Sequence, residues 1–68
     1  MKFVIEIRAI DADGTETLSH SFNYSAINLP RAVRYARALL VDWKKRNPGR
    51  YRIRILNNKG EEIFSATE

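Results

Sequence analysis

The segment from Tyr51 to Phe64 constrains the fold most strongly, because apolar and charged residues alternate along it with the period of a β-strand. Successive side chains of a strand point to opposite faces of the sheet. Tyr51, Ile53 and Ile55 therefore share one face. The other face carries three arginines: Arg50, Arg52 and Arg54. A turn at 57–60 and a further apolar run follow, so the segment predicts a β-hairpin.

The glycine in this turn predicts how the two strands pair. A three-residue loop with Gly60 in the left-handed conformation is a common hairpin connection. It would set Ile55 opposite Ile63 and Arg54 opposite Phe64. The sequence therefore predicts that Phe64 lies on the same sheet face as the arginines.

The N-terminal residues predict a second hairpin of the same general kind. Apolar residues alternate from Phe3 to Ala9, and the dipeptide Asp13-Gly14 is the strongest signal for a two-residue hairpin loop. With that loop, Ala9 pairs with Leu18, and a slip of one residue would move the apolar set to the wrong face. We therefore expect one face of the second strand to carry Leu18, His20, Phe22 and Tyr24. The opposite face would carry Thr17, Ser19, Ser21 and Asn23.

A helix is predicted between the two hairpins. Asn28 can cap the first free amides, and Pro30 is tolerated in the first turn, where its missing N–H leaves nothing unpaired. Pro48 and Gly49 end the helix, so we expect it to run to about Arg46. At 3.6 residues per turn, one apolar stripe would face the sheet: Leu29, Val33, Ala36, Leu40 and Trp43.

The element order is thus ββαββ, which predicts an α+β fold in one domain spanning residues 1–68. A single helix would cover one face of a four-stranded antiparallel sheet. Reversal of the chain at each connection favours the strand order 2-1-3-4, because the first and third strands have the most apolar inward faces, although other orders stay open. One helix cannot bury both faces, so we expect the reverse face to expose apolar and basic groups.

Composition excludes several classes of site. Twelve Lys and Arg residues against eight Asp and Glu give a net charge of +4 and an isoelectric point near 9.9, which favours acidic partners. Without cysteine there are no disulfides, thiolate metal sites or cysteine nucleophiles. No apolar run approaches the ~20 residues that cross a bilayer, and no secretory signal is present. We therefore expect a soluble protein that stays where it is made, in the cytoplasm or in a location that the sequence does not identify, without a membrane partner.

No group of residues predicts catalysis, a metal or a cofactor. His20 has neither a second histidine nor an orienting carboxylate, and we expect it to be half-buried and hydrogen-bonded to a neighbour. Asp11 and Asp13 resemble the start of a calcium loop, but position 22 is phenylalanine instead of the required glutamate. Adjacent side chains of a strand point apart, so Glu61 and Glu62 do not form a catalytic pair. The prediction is a protein that is not an enzyme.

Two surfaces are candidates for binding. The uncovered sheet face would combine basic residues with one aromatic ring, as in modules that bind RNA or single-stranded DNA: Arg8, Arg50, Arg52, Arg54 and Phe64. The simpler interpretation is that arginines of this face pair across strands with Glu6 or Glu62. The outer helix face offers a protein contact through residue types common at such contacts: Arg34, Tyr35, Ala38 and Val41. A helix face that is merely solvated is the simpler interpretation there.

Over most of its length the chain resembles the idealised ββαββ mini-proteins made by computational design. The resemblance rests on the loop at 13–14, the Asn-Pro-Gly sequence at 47–49 and the segment 52–64. The chain departs from that pattern at three places: 18–25, 26–29 and Val41. It also bears a weaker resemblance to small phage and bacterial accessory proteins of the same layout, anti-defence proteins among them.

We therefore expect a small basic domain that binds and does not catalyse. The leading hypothesis is a protein-interaction module or designed scaffold that acts through the outer helix face or the uncovered sheet face. The alternatives are a nucleic-acid-binding domain that uses the arginine-rich sheet face, and a phage-type anti-defence protein that inhibits by protein contact. The uncovered sheet face also predicts self-association as a homodimer. A stable scaffold without a ligand stays open.

Overall fold

Four strands and one helix account for most of the 68 residues, all of which the computed structural model describes. In chain order they are β1 (Lys2–Ile10), β2 (Glu16–Ser25), α1 (Leu29–Arg46), β3 (Arg50–Leu56) and β4 (Glu62–Thr67). Neighbouring strands are antiparallel, and their order across the sheet is β2-β1-β3-β4. This confirms the predicted ββαββ order, the α+β class and the strand order. No helix combines the length and the hydrophobicity needed to span a membrane.

The core lies between α1 and the two central strands. Along β1 and β3 alternate side chains are buried, as the sequence pattern predicts. Nine buried residues form one cluster: Phe3, Ile5, Ile7, Ala32, Ala36, Leu40, Tyr51, Ile53 and Ile55. Burial of an isoleucine side chain stabilises a fold by about 1.5–3 kcal/mol. The four isoleucines of the two central strands are therefore the main apolar support of the helix.

The helix begins and ends where the sequence predicts. Asn28 Oδ1 accepts a hydrogen bond from the Arg31 N–H at 3.0 Å, and a proline follows in the first turn. At the other end the Asn47 N–H donates to the Trp43 carbonyl at 2.8 Å. The Tyr51 hydroxyl donates to the Asn47 carbonyl at 2.7 Å, which ties the end of α1 to the start of β3.

The loop of the first hairpin differs from the prediction. The Asp11 N–H donates to the Thr15 carbonyl at 3.1 Å, so three residues form the loop, and the last of them, Gly14, has φ of +89°. The predicted two-residue loop at Asp13-Gly14 was therefore wrong. A turn closed by a left-handed glycine needs one residue more than the tight loop that an Asp-Gly dipeptide favours.

A β-bulge at Ser19 divides β2 into two registers. Before the bulge, Leu18 lies opposite Arg8 instead of the predicted Ala9. After it, from residue 20 onward, the pairing is the predicted one, because the extra residue compensates for the longer loop. Leu18 is consequently on the sheet face away from α1, which we call the open face, and Thr17 is on the helix-covered face. The predicted faces of these two residues were wrong.

The second hairpin has the predicted three-residue loop but a different register. Gly60 has φ of +80°, and the Asn57 N–H donates to the Glu61 carbonyl at 2.9 Å. A bulge at Ile63 then reverses the faces of the side chains that follow it in β4. Phe64 is therefore on the helix-covered face with the buried isoleucines. Its predicted place among the arginines of the open face was wrong.

The two turns are built alike, although the sequence indicated only a generic likeness. Asp11 Oδ1 accepts a hydrogen bond from the Thr15 N–H, and Asn57 Oδ1 accepts one from the Glu61 N–H, both at 3.0 Å. A left-handed glycine closes each loop. Each turn also leads into a glutamate on the open face: Glu16 and Glu62. The shared geometry thus places one carboxylate from each edge strand on the open face.

Candidate functional site

Six charged side chains on the open face form a closed ring of ion pairs. Glutamates and arginines alternate around this charge ring in the order Glu16, Arg8, Glu6, Arg54, Glu62 and Arg52. Each guanidinium contacts two carboxylates, and the six N–O distances lie between 2.6 and 3.2 Å. The six side chains are 14–35% exposed, so they are partly withdrawn from water.

The pKa shifts within the charge ring favour the ionised forms. Partial burial acts to raise the pKa of Glu16, but the hydrogen bonds and positive charges of Arg52 and Arg8 outweigh it and hold that pKa below its usual value. A hydrogen bond to Glu62 is the main reason that the pKa of Arg54 is raised, and it outweighs the effect of burial. With three glutamates and three arginines, the ring has no net charge.

The charge ring contains three of the four arginines predicted to line this face. Each of the three lies between two carboxylates: Arg8, Arg52 and Arg54. This confirms the simpler interpretation of the face, because Glu6 and Glu62 pair with arginines across strands. The fourth, Arg50, is exposed at the start of β3 and makes no ion pair.

Phe64, the aromatic residue predicted for the open face, lies beside the helix instead. Its ring packs half-buried against the core, and the guanidinium carbon of Arg37 lies 5.7 Å from the ring centroid. That distance is within the range of a cation–π contact. The open face consequently has no aromatic side chain on which a nucleic-acid base could stack.

Aromatic side chains fill the seam between α1 and β2, a feature that the sequence analysis missed. Tyr35 stacks on Tyr24 with ring centroids 4.0 Å apart and planes 2° from parallel, and it meets Phe22 edge-on at 6.2 Å. His20 stacks on Trp43 at 5.8 Å. The His20 ring is exposed and makes no hydrogen bond, so its predicted half-buried, hydrogen-bonded setting was wrong. The sequence feature that could have indicated this seam is the row of aromatic residues on the inward face of β2.

All four residues predicted for the outer helix face are exposed. Arg34 and Ala38 lie on the side away from the sheet, and Val41 retains 54% of its surface. Tyr35 is 39% exposed, but its stacking on Tyr24 places it at the border with β2. The structure therefore brings the predicted helix residues together, with Tyr35 as the edge of the surface.

Most basic side chains of α1 have no ion pair within the protein. The unpaired cations are Arg31, Arg34, Arg37, Lys44 and Lys45. The only ion pair on the helix joins Arg46 to Asp42 at 2.7 Å. The first turn contains no acidic residue, although one there would stabilise the helix by about 0.3–1 kcal/mol. Because the charge ring is neutral, the excess positive charge of the protein lies on this helix.

The two aspartates of the first hairpin stabilise its turn through hydrogen bonds to the backbone. Their Oδ1 atoms both accept a hydrogen bond from the Thr15 N–H, at 3.0 Å for Asp11 and 2.8 Å for Asp13. A hydrogen bond with Asp11, followed by those with Thr15, lowers the pKa of Asp13 to about 2. No group of three or more potential metal ligands occurs in the structure. We assign these carboxylates a structural role.

A shallow, open depression of about 470 Å³ lies beside the start of α1. Its walls are formed by Met1, Tyr24, Ser25, Ala26, Ile27 and Arg31. Ile27 is 79% exposed, the most of any large apolar residue in the chain. The depression therefore adjoins the outer helix face at Arg31.

Comparisons with protein-family models, with curated proteins and with solved structures gave no match to this chain. The geometry of the surfaces therefore has to support a function on its own.

Proposed function

We propose that this protein is a non-catalytic binding module that contacts a partner protein through the outer face of α1. One observation supports the proposal above the others. The chain neutralises three arginines of its sheet with its own glutamates but leaves five cations of its helix unpaired. Those cations surround two exposed apolar side chains, Ala38 and Val41. Apolar groups bordered by arginine are typical of protein contacts.

The unpaired charges weaken the helix that carries them. Arg31 lies in the first turn, where the positive end of the helix dipole makes a cation unfavourable. Arg34 and Arg37 follow at intervals of three residues, so like charges are neighbours on the helix surface and destabilise it by about 0.2–0.5 kcal/mol per pair. No acidic side chain of the protein compensates for these three arginines. A negatively charged partner would do so.

A photo-crosslinking amino acid at Ala38 tests this proposal, with the same amino acid at Ser65 as the matched control. Both positions are exposed, but Ala38 is on the outer helix face and Ser65 is on the open face opposite Arg54. In extracts of the source cells we expect protein adducts from position 38 and none from position 65. Adducts from position 65 alone, or from neither position, would contradict the proposal.

Nucleic-acid binding through the sheet arginines is the alternative that the sequence raised, and the charge ring reduces the support for it. Three of the four arginines already contact carboxylates, and Phe64 is on the other face. Titration with a single-stranded oligonucleotide at two salt concentrations tests this alternative, since phosphate binding weakens steeply with salt. The resemblance to phage anti-defence proteins stays a prediction that the identity of a crosslinked partner would decide.

A further inference from the structure

We propose that the segment bound by the outer helix face is an acidic peptide chain, one apolar side chain of which enters the depression beside Ile27. This inference rests on the proposed function and names the chemistry of the partner. The carboxylates of the segment contact an arginine ridge on the helix, formed by Arg31, Arg34 and Arg37. The apolar side chain provides an anchor at the end of that ridge.

The exposure of Ile27 is the first observation behind this inference. Ile27 directly precedes the helix cap Asn28, a position from which an apolar side chain commonly folds back over the fourth helical residue. That residue is Ala32, which is fully buried, while Ile27 remains 79% exposed. Ile27 therefore covers little of its own protein. Beside a depression of about 470 Å³, it forms a wall against which a foreign apolar side chain can pack.

Arg31 connects the depression to the ridge. It lines the depression and is also the first of three arginines spaced three residues apart. Each interval of three residues rises ~4.5 Å and turns by ~60° around the helix axis. The ridge therefore runs obliquely from the depression toward the β4 side, where Arg37 lies 5.7 Å from the ring of Phe64. Three guanidinium groups with free donors along one line suit a row of carboxylates.

The surroundings of the ridge favour a peptide over a nucleic acid. Ile27 and Val41 offer apolar contacts that a phosphate backbone cannot use. Tyr35, the aromatic ring at this surface, has one side covered by Tyr24, which restricts stacking by bases. An acidic chain with apolar side chains meets each of these features favourably.

Titration of the ¹⁵N-labelled protein with a synthetic peptide tests the inference. The peptide combines glutamates with leucines at helical spacing and has about 18 residues, the length needed to follow α1 at 1.5 Å per residue. One control peptide replaces each leucine by serine, and a single-stranded oligonucleotide is the third probe. We expect the glutamate–leucine peptide to shift the amide signals of Ile27, Arg31, Arg34 and Val41. We expect no shift at Arg52 of the charge ring.

Two variants with the same change of charge sharpen the test. Arg31→Glu changes the ridge, whereas Arg50→Glu changes an exposed arginine of the sheet that makes no ion pair and follows the C-terminal end of α1, at the opposite end of the helix from Arg31. Arg31→Glu also places an acid in the first helical turn, which favours folding, so a loss of binding would not come from unfolding. We expect about a tenfold loss of peptide affinity for Arg31→Glu and less than about a twofold loss for Arg50→Glu. Ile27→Ser should weaken the leucine peptide and leave the serine peptide unaffected.

Other outcomes would overturn the inference. These are equal losses for the two charge variants, signal shifts confined to the charge ring, or an oligonucleotide that binds the ridge more tightly than the peptide. In each of these cases adducts from position 38 would still support the proposed function. If position 38 gives no adducts either, the proposed function fails with the inference.

Discussion

Arg52 links two strands that do not pair with each other. Its Nη1 donates to Glu16 of β2 and its Nη2 to Glu62 of β4, which are the two edges of the sheet. An isolated ion pair at a surface contributes only about 0–1 kcal/mol. The charge ring differs from isolated pairs because every charge has two partners and is partly withdrawn from water. Its main effect is to hold both edge strands to the centre of the open face.

The lowered pKa of Glu16 predicts how stability depends on pH. A carboxylate whose pKa is lowered by folding stabilises the native state above its ordinary value of 4.5, and this stabilisation is lost as the pH falls through the lower folded value. We expect Glu16→Gln to reduce the free energy of unfolding at pH 7. The difference from the wild type should shrink as the pH is lowered below the ordinary value. Urea denaturation across this pH range measures it.

Glu61→Gln is the matched control for this prediction, because Glu61 lies in the second turn, outside the charge ring. A difference between wild type and Glu16→Gln that stays constant with pH would show that the ring does not hold Glu16 as an ionised group.

The β-bulges decide which side chains of the edge strands face the helix. The strict alternation in β1 and β3 made the central strands predictable, because only one register buries all their isoleucines. In β4 the neighbours Ile63 and Phe64 are both apolar, so local pattern cannot choose between them. The structure turns Phe64 inward, where it meets Arg37. That contact joins residues distant in sequence, so local pattern could not place Phe64. The sequence did predict that Glu6 and Glu62 pair with arginines, but it could not predict the closed ring, because the face of Glu16 depends on the longer first loop and the bulge at Ser19.

Deletion of Ser19 tests the bulge in β2. Because Ser19 is the extra residue, its removal leaves Leu18 opposite Arg8 and His20 opposite Ile7. We expect the deletion variant to keep its fold, since no apolar side chain changes face. Contacts between protons of these paired residues, measured by NMR, check the result.

Deletion of Asn23 provides the comparison. Asn23 lies in the regular ladder opposite Val4, so its loss moves Tyr24 to the open face if the bulge stays and Phe22 if the bulge is lost. We expect this variant to be markedly less stable than the Ser19 deletion. If the Asn23 deletion folds and the Ser19 deletion does not, the bulge is wrongly assigned.

The whole molecule separates its charges by layer. The sheet layer neutralises three of its four arginines internally, and the helix layer carries the excess of positive charge. This division reduces the support for the homodimer expected from the sequence. Stacking two open faces would bury six charges that are already paired, and removing ions from water costs several kcal/mol per ion. Of the apolar residues available in return, only Leu18 is exposed, and three are half-buried in the monomer: Val4, Ile10 and Leu56.

We therefore predict a monomer over a wide range of concentration. Sedimentation equilibrium should give the mass of a single chain, 7.9 kDa, at micromolar and millimolar protein. The double variant Glu6→Val, Arg54→Val removes one negative and one positive charge from the two central strands. We expect this variant to self-associate through its open face. A wild-type mass that rises with concentration would contradict the prediction.

A closed cycle of alternating charge restricts how this surface can change. Reversing the sign at any one of the six positions sets that residue between two neighbours of its own sign. Exchanging the glutamate and the arginine of one ion pair keeps that pair, but each exchanged residue then lies beside an outer neighbour of like charge. Only inversion of all six, with every arginine replaced by glutamate and every glutamate by arginine, restores opposite neighbours throughout. The charges of the ring can thus be reversed only as a unit, whereas the five unpaired cations of α1 can each change sign without opposing a partner within the protein.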